Sequence, residues 1–251
     1  ANQQVAALDG IPFVDVRDPN GEFLTSSRLE AHRVASAYIM EGTVNSVGRT
    51  GFDWLPGKLG LAKGKAIDHH KLAAAVFDLD PLSLIHGVFF ARKGGGWAWQ
   101  PKIARAVTSF IDADDVRAAF SGGVKTDSVD PTGGATDTGY GMVPHQRTEF
   151  TARTITAYVT IDHSQLRSYG LGEARTELLE SIIDFELSAL FHGDGLRLRT
   201  ACDLRPLTAD ELDARDLTSG INLISTPEAA IARVRSAIDA CQGQLGDVTV
   251  G

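Results

Sequence analysis

The chain has 251 residues, of which 43% are hydrophobic and 22% are charged, a balance typical of a soluble globular protein. No apolar run approaches the roughly 18 residues that a membrane-spanning helix needs, and the first ten residues have no signal-peptide pattern. The net charge of −8 argues at first against a nucleic-acid partner, but residues 86–160 carry 8 basic and 7 acidic side chains, so a local basic groove is still compatible with the sequence.

The first third of the chain predicts a strand, a helix, a loop and a second helix. Residues 11–17 alternate apolar and polar side chains, which predicts a strand. Ser27 and Glu30 have the spacing of a capping box, so we expect a helix over 28–40. Residues 41–66 are rich in Gly and Lys with little periodicity, which predicts a loop insertion. Asp68 is placed to cap a helix that runs to about Phe77.

The middle of the chain predicts a strand followed by a long insertion. Residues 82–91 form an apolar run of strand length. Residues 92–153 then interrupt the pattern, and we interpret them as an insertion between two strands. Within it, residues 104–111 fit a helix or a strand, and we favour the strand.

Residues 121–150 form the most informative segment, which we call the arm. It is rich in Gly, Thr and Asp and has almost no apolar residue before Tyr140. Loops this long are uncommon in compact domains and are usually functional or disordered. The ends of the arm look like strands, so we interpret it as a hairpin that lies across an extended ligand or a neighbouring subunit. The alternative is a disordered surface loop.

The last third completes an α+β pattern. Residues 154–161 predict a strand, residues 173–191 a helix with a wide apolar face, residues 195–201 a strand, and residues 226–243 a final helix. The resulting strand and helix order is the split β-α-β-β-α-β arrangement of ferredoxin-like folds. We therefore expect a single RRM-like domain over residues 1–251, with insertions. The open sheet face of this topology commonly binds single-stranded RNA.

Several basic and polar side chains are candidates for contact with RNA phosphates. They lie next to Gly-rich corners, on the first predicted helix, on the arm and on the strand predicted over 195–201. The alternative for each of them is a solvated surface position. The candidates are Arg28, His32, Lys93, Gln100, Lys102, Arg105, Lys125, His145, Arg147, Arg197 and Arg199. The apolar residues at the arm tip that could wedge between bases, or instead anchor the base of the arm, are Tyr140, Met142 and Val143.

Catalytic motifs are weak in this sequence. It contains no GxSxG, HExxH or CxxC pattern, so we expect no enzymatic activity, no cofactor and no metal. Asp68-His69-His70 could suggest a metal, but adjacent His side chains on a helix point in different directions. An RNA-processing endonuclease is the main alternative, and it would need a general base from His32, His86 or His145. Two cysteines without a framework pattern indicate a reducing cytoplasm.

Several stretches together resemble one protein family. They are LDPLSLIHGVFFAR (79–92), QPKIARAV (100–107), SGGVKTDSVDPTGG (121–134), GYGMVPHQRTEFTARTITAYVTID (139–162), YGLG (169–172) and GLRLRTACDL (195–204). The family is the backbone subunit of subtype I-G (formerly I-U) CRISPR effector complexes, the "Cas seven" branch of the RAMP superfamily. The resemblance runs from about Ser26 to Leu204.

The resemblance implies a fold, a function and a set of partners. The fold would be a ferredoxin-like, RRM-type palm with an inserted β-hairpin thumb, and the arm would be that thumb. The protein would polymerise along guide RNA as a filament, next to copies of itself and other subunits of a Cascade-like complex. The guide bases would stay free to pair with a target DNA strand, which a separate nuclease-helicase cuts. Base pairing, not the protein, would then supply sequence specificity.

Overall fold

The computed structural model describes residues 5–29, 33–45, 47–61, 64–90, 100–125, 143–193, 196–198, 202–243, 245 and 248–250. Its mixture of helices and strands confirms the predicted α+β class. The chain divides into two compact units, one formed by residues 1–107 and 161–251 and the other by residues 108–160.

Thirteen strands and eight α-helices are assigned within the described residues. The strands are β1 (Val14–Arg17), β2 (Phe23–Ser26), β3 (Thr43–Val44), β4 (Arg49–Thr50), β5 (Val88–Phe89), β6 (Lys102–Ile103), β7 (Val107–Asp114), β8 (Arg117–Lys125), β9 (Val143–Thr151), β10 (Thr154–Ile161), β11 (Leu196–Leu198), β12 (Cys202–Leu204) and β13 (Val248–Val250). The α-helices are α1 (Ala37–Glu41), α2 (Gly51–Lys58), α3 (His69–Leu79), α4 (Leu82–His86), α5 (His163–Ser168), α6 (Glu173–Phe191), α7 (Ala209–Asp213) and α8 (Pro227–Ala240). Short 3-10 turns lie at Ala6–Leu8, Arg33–Ala35 and Ile221–Leu223.

The largest sheet has five strands in the order β2-β1-β13-β3-β4. Its central strand, β13, comes from the end of the chain and runs parallel to β1, with Val14 opposite Val248 and Val16 opposite Val250. The β1–β2, β13–β3 and β3–β4 pairs are antiparallel. Residues more than 200 positions apart therefore meet at the middle of this sheet.

The strand pairing differs from the predicted β-α-β-β-α-β arrangement. The strands expected to share one sheet pair separately within the described residues: β1 joins the five-stranded sheet, β5 pairs with β6, β10 with β7, and β11 with β12. The ferredoxin-like palm is thus not confirmed. The prediction relied on the order of elements along the chain, which reveals neither local pairs such as β11–β12 nor the pairing of β1 with the distant β13.

The core of the first unit is built around α6 and α3. The helix α6 has the predicted bounds, and Leu178, Leu179, Ile182 and Ile183 on one side of it are buried. It packs against α8, and the Arg233 guanidinium of α8 pairs with Glu177 of α6 at 2.8 Å. Burial of such an apolar face, rather than helix propensity, supplies most of the stability of a surface helix.

Two predictions for the first third of the chain are wrong. The sequence predicts a helix over 28–40, but Ser27 accepts a hydrogen bond from the Val14 backbone N–H at 3.0 Å, and among the residues of this range that the structure describes only 37–40 are α-helical, as part of α1. The predicted loop over 41–66 contains β3, β4 and α2. Thr50 caps α2 by accepting from the Asp53 N–H, and buried Leu55 holds the helix against the core despite its weak local pattern.

The first half of the predicted strand over residues 82–91 is a helix. The Asp80 carboxylate accepts hydrogen bonds from the Leu82 N–H at 3.2 Å and from the Ser83 hydroxyl at 2.9 Å, which starts the short helix α4. Gly87, at a φ of +85°, ends it, and Val88–Phe89 then forms the short strand β5. A local side-chain cap therefore overrides the β character of the apolar run.

Candidate nucleic-acid interface

Residues 108–160 form an antiparallel β-ribbon, which we call the ribbon. Strand β7 pairs with β10, and β8 pairs with β9 over nine residue pairs from Arg117–Thr151 to Lys125–Val143. Between the two ladders, Asp115 has a φ of 51°, and the Arg153 N–H donates to the Asp114 carbonyl at 3.0 Å. The strand-like ends predicted for the arm are thus paired strands in the structure.

The β8–β9 pair presents two chemically different faces. Residues opposite each other in a ladder lie on the same face, and successive residues alternate between faces. Phe120 and Phe150 therefore share a face that carries no charged side chain from Ala118 to Val124 or from Pro144 to Phe150. Arg117, Arg147 and Glu149 lie on the other face, together with His145.

Both faces of the ribbon are open to solvent. Phe120 is 74% exposed and Phe150 71% exposed, and Phe110 and Tyr158 stack at 4.7 Å on the β7–β10 pair with much of each ring exposed. Among the described residues, no side chain of residues 108–160 belongs to the buried hydrophobic core. Its large side chains are thus available for contact with another molecule.

The structure places the candidate residues of the arm as follows. Arg147 pairs with Glu149 of the same strand at 2.9 Å, and the His145 ring lies beside Gly123 of the paired strand. The backbones of Lys125 and Val143 end the β8–β9 ladder. Tyr140 and Met142 lie outside the described residues, so the wedge role stays a prediction.

A second feature is an open cleft of about 220 Å³ in the first unit, which we call the cleft. It is lined by three chain segments: His69, Leu72 and Ala73 of α3, residues 102–104 at β6, and Gln165, Ser168 and Tyr169 at α5. Lys102, a predicted RNA contact, is exposed at this cleft and sits opposite Phe89 in the β5–β6 ladder. The cleft therefore brings one predicted cation together with residues from distant parts of the chain.

Hydrogen bonds fix the α5 wall of the cleft. Asp162 caps α5 by accepting from the Gln165 backbone N–H at 2.8 Å. The Gln165 amide donates to the Ala104 carbonyl at 2.7 Å and to the Tyr169 hydroxyl at 2.8 Å. The Tyr169 hydroxyl donates in turn to the Leu84 carbonyl at 2.9 Å, and burial raises the pKa of this phenol above its usual value. The wall is therefore rigid before any ligand binds.

The other candidates fall into three groups. Arg105 and Gln100 are exposed, and neither Lys102 nor Arg105 forms an ion pair with an acidic side chain in the described part of the chain. Arg197 is described only through its backbone in β11. The candidates that lie outside the described residues are His32, Lys93 and Arg199.

Arg28 serves the interior of the first unit. Its guanidinium donates to the Ile11 carbonyl at 2.7 Å and to the Leu8 carbonyl at 3.3 Å, and it lies 4.4 Å from the centre of the Phe13 ring. Its charge also stabilises the buried carboxylate of Asp80. These contacts give Arg28 a structural role, and its contact with RNA stays a prediction.

His86 and Asp80 are two titratable groups of the first unit whose charges interact, and His86 is partly buried while Asp80 is fully buried. Burial alone would lower the pKa of His86, but the Glu186 carboxylate at 3.0 Å and the nearby Asp80 outweigh burial and raise it, while Arg105 opposes them. Burial raises the pKa of Asp80 to about 6, although hydrogen bonds from Ser83 and the Leu82 N–H and the charge of Arg28 partly offset it. Both groups thus hold protons more tightly in the folded chain.

We expect this pair to make the protein less stable as pH rises. Because the folded-state pKa of Asp80 lies above its unfolded value of 3.8, stability falls between about pH 4 and pH 6, by up to about 3 kcal/mol. Asp80→Asn should remove this part of the pH dependence, as measured by urea unfolding at pH 4.5 and pH 7. Asp68→Asn is the control at the other end of α3, where a hydrogen bond from the Lys71 N–H lowers the pKa and the pH dependence has the opposite sign. An unchanged slope in Asp80→Asn would contradict the assignment.

The acid–histidine run at the start of α3 is a cap rather than a ligand set. Asp68 accepts from the Lys71 N–H at 3.1 Å, and His70 lies against Gly170. Within the described residues, no group of three or more His, Cys, Asp or Glu side chains is placed to hold a metal ion. Among the helices that the structure describes, none combines the length and apolarity required to cross a bilayer.

Sequence reasoning missed the shared face of Phe120 and Phe150 and the grouping of His69, Lys102 and Ser168. The aromatic face depends on the register of β8 against β9, which alternation within one strand does not reveal. The cleft depends on the bond between Gln165 and Ala104, 61 residues apart, for which the sequence holds no signal. The local sequence signal for the aromatic face was an aromatic residue, Phe120, close to Gly122 and Gly123.

The first part of the chain matches a known protein-family model. Residues 1–118 match the family model described as CRISPR-associated protein GSU0053 (Cas_GSU0053). The match covers slightly less than half of the chain and ends within β8. It indicates a CRISPR-associated protein, and it supports a role in CRISPR defence. No curated protein matches this chain.

Proposed function

We propose that this protein is a non-enzymatic RNA-binding subunit that polymerises along CRISPR guide RNA and forms the backbone of a type I, Cascade-like DNA-targeting complex in antiviral defence. Within that class we propose the RAMP superfamily, subtype I-G, with an RRM-type palm and a cytoplasmic location. Its partners would be guide RNA, the target DNA strand paired to it, neighbouring copies of itself, other subunits and a separate nuclease-helicase.

The observation that carries this proposal is the ribbon. It exposes both faces, contributes no described side chain to the core, and is therefore not explained by the stability of the fold. An exposed ribbon of this kind is suited to lie along a partner, and the match to a CRISPR-associated family supports guide RNA and neighbouring subunits as that partner. The net charge of −8 means that phosphate contact must come from local cations rather than from the field of the whole protein.

The main alternative is an RNA-processing endonuclease. His86 is paired with Glu186 at 3.0 Å and half-buried, so as a general base it would first have to leave that carboxylate. Incubating the purified protein with repeat RNA separates the two functions: intact RNA supports the binding subunit, and cleavage that His145→Ala abolishes supports the nuclease.

We expect guide-RNA binding to be electrostatic and largely independent of sequence. For single-stranded RNA, the logarithm of affinity falls with log salt by about 0.7 per phosphate contact. Replacing Lys102 and Arg105 with Ala should therefore reduce the slope by about 1.4, as measured by titration at several salt concentrations. The charge-matched control is Lys71→Ala with Arg205→Ala, because both side chains already pair with acids, Asp68 and Glu211. Equal slopes in the two double variants would remove Lys102 and Arg105 from the interface.

A further inference from the structure

We propose that the cleft binds a single ribonucleotide, with its phosphate on Lys102 and His69 and its ribose 2′-hydroxyl donating to the side-chain oxygen of Ser168, next to the acceptor oxygen of Gln165. This inference rests on the proposed function, since it takes RNA as the ligand. It adds a site within one subunit that distinguishes RNA from DNA.

The charges around the cleft favour a phosphate. Lys102 and His69 are exposed on two different walls, and Lys102 has no ion pair with a described acidic side chain. The acidic groups nearest in sequence to the lining residues are already engaged. Asp68 accepts from the Lys71 N–H and pairs with the Lys71 ammonium at 3.6 Å, and Asp162 accepts from the Gln165 N–H. A phosphate would therefore meet the Lys102 ammonium, which pairs with no described acidic side chain.

The hydrogen-bonding groups of the α5 wall favour a ligand that donates. The side-chain amide of Gln165 uses its two N–H groups on the Ala104 carbonyl and the Tyr169 hydroxyl, which leaves its oxygen as an acceptor. The Ser168 hydroxyl donates its proton to the Gln165 backbone carbonyl at 2.7 Å, so its oxygen is also left to accept. A ribose 2′-hydroxyl supplies the missing donor, and deoxyribose does not.

The size and floor of the cleft limit the ligand to one nucleotide. Its volume of about 220 Å³ lies below the roughly 300–1,000 Å³ typical of pockets for drug-sized ligands. The floor is apolar, formed by side chains such as Leu72 and Tyr169, which suits the carbon face of a sugar or base. A duplex or a folded RNA loop does not fit this space, whereas one unit of a single strand does.

The test uses adenosine 5′-monophosphate and its 2′-deoxy analogue as probes on the full chain, with binding followed by calorimetric titration. We expect Lys102→Met to weaken binding of the ribonucleotide about tenfold, the value of one charge-assisted hydrogen bond. Lys71→Met, on the same helix as His69 but outside the cleft, is the matched control and should bind like the wild type. Ser168→Ala should reduce the preference for the ribo form, which we expect to be about fivefold.

The outcomes separate this inference from the proposed function. Absence of saturable ribonucleotide binding, or equal affinities in Lys102→Met and Lys71→Met, overturns the cleft as a nucleotide site, even if the protein still assembles on guide RNA. Ribonucleotide binding that depends on Lys102 supports the cleft, even if no assembly on guide RNA is found, and in that case the proposed function fails alone. Lys102 is exposed, so Lys102→Met should melt at the same temperature as the wild type. A change in its nucleotide binding would then reflect the lost contact and not a loss of folding.

Discussion

Replacing residues 117–151 with Asn-Gly should abolish ordered assembly on guide RNA while leaving the free protein folded. The replacement removes β8 and β9 and joins β7 to β10 through a six-residue loop, Asp115-Val116-Asn-Gly-Ala152-Arg153, with a turn-forming Asn-Gly at its centre. No described side chain in the deleted segment lies in the core, so we expect the free energy of unfolding to change by less than about 1 kcal/mol and the melting temperature by only a few degrees.

Assembly would be measured by electron microscopy and by the sedimentation of protein mixed with guide RNA. The double variant Phe120→Ser with Phe150→Ser keeps the length of the ribbon but makes its uncharged face polar. It therefore tests whether assembly depends on the side chains of that face or on the length of the ribbon alone. If the shortened protein still forms full-length filaments, the ribbon does not reach a neighbour, and the proposed assembly is wrong.

Phe77→Ala should produce the largest loss of stability among single substitutions considered for this chain, about 3–5 kcal/mol. Phe77 is fully buried on α3, and the Arg175 guanidinium lies 5.0 Å from its ring centre, so the change opens a cavity and removes a cation–π contact. For a chain of this size, a loss of that order lowers the melting temperature by about 10 °C. Thermal unfolding followed by circular dichroism would measure it.

The matched control is Phe120→Ala, which removes the same side chain from an exposed position on β8. Since 74% of Phe120 is accessible, little apolar burial is lost, and we expect a change within about 0.5 kcal/mol. Similar losses in both variants would mean that Phe120 is covered in the free protein, contrary to its exposure here.

The long, strongly patterned helices were the part of the fold that could be predicted from the sequence. The bounds of α6 agree with the prediction because an apolar face persists over its whole length and Gly172 and Gly193 flank it. The cap at Asp68 likewise identified α3. In both cases local chemistry and tertiary packing favour the same structure.

Short elements and long-range pairings could not be predicted. The five-residue helix α4 depends on hydrogen bonds to the buried carboxylate of Asp80. The apolar run that follows Asp80 predicts a strand, so the sequence pattern alone does not reveal the helix. The position of β13 depends on its pairing with residues 14–16, more than 200 positions away, which no local period encodes. The candidate site follows the same rule. The strands at the ends of the arm could be predicted from local sequence, but the register of β8 against β9 and the position of the cleft could not, because both depend on contacts between residues far apart in the chain.

The central position of β13 affects how the protein must be made. During synthesis, β1, β2, β3 and β4 emerge long before Val248–Val250 does, so the growing chain holds two incomplete half-sheets with a strand-wide gap between them. The exposed edges of β1 and β3 would be open to strand addition from other chains for that whole interval. Chaperone capture of the nascent chain, or prompt closure of the gap once Val248–Val250 has emerged, would then determine the yield of correctly folded protein.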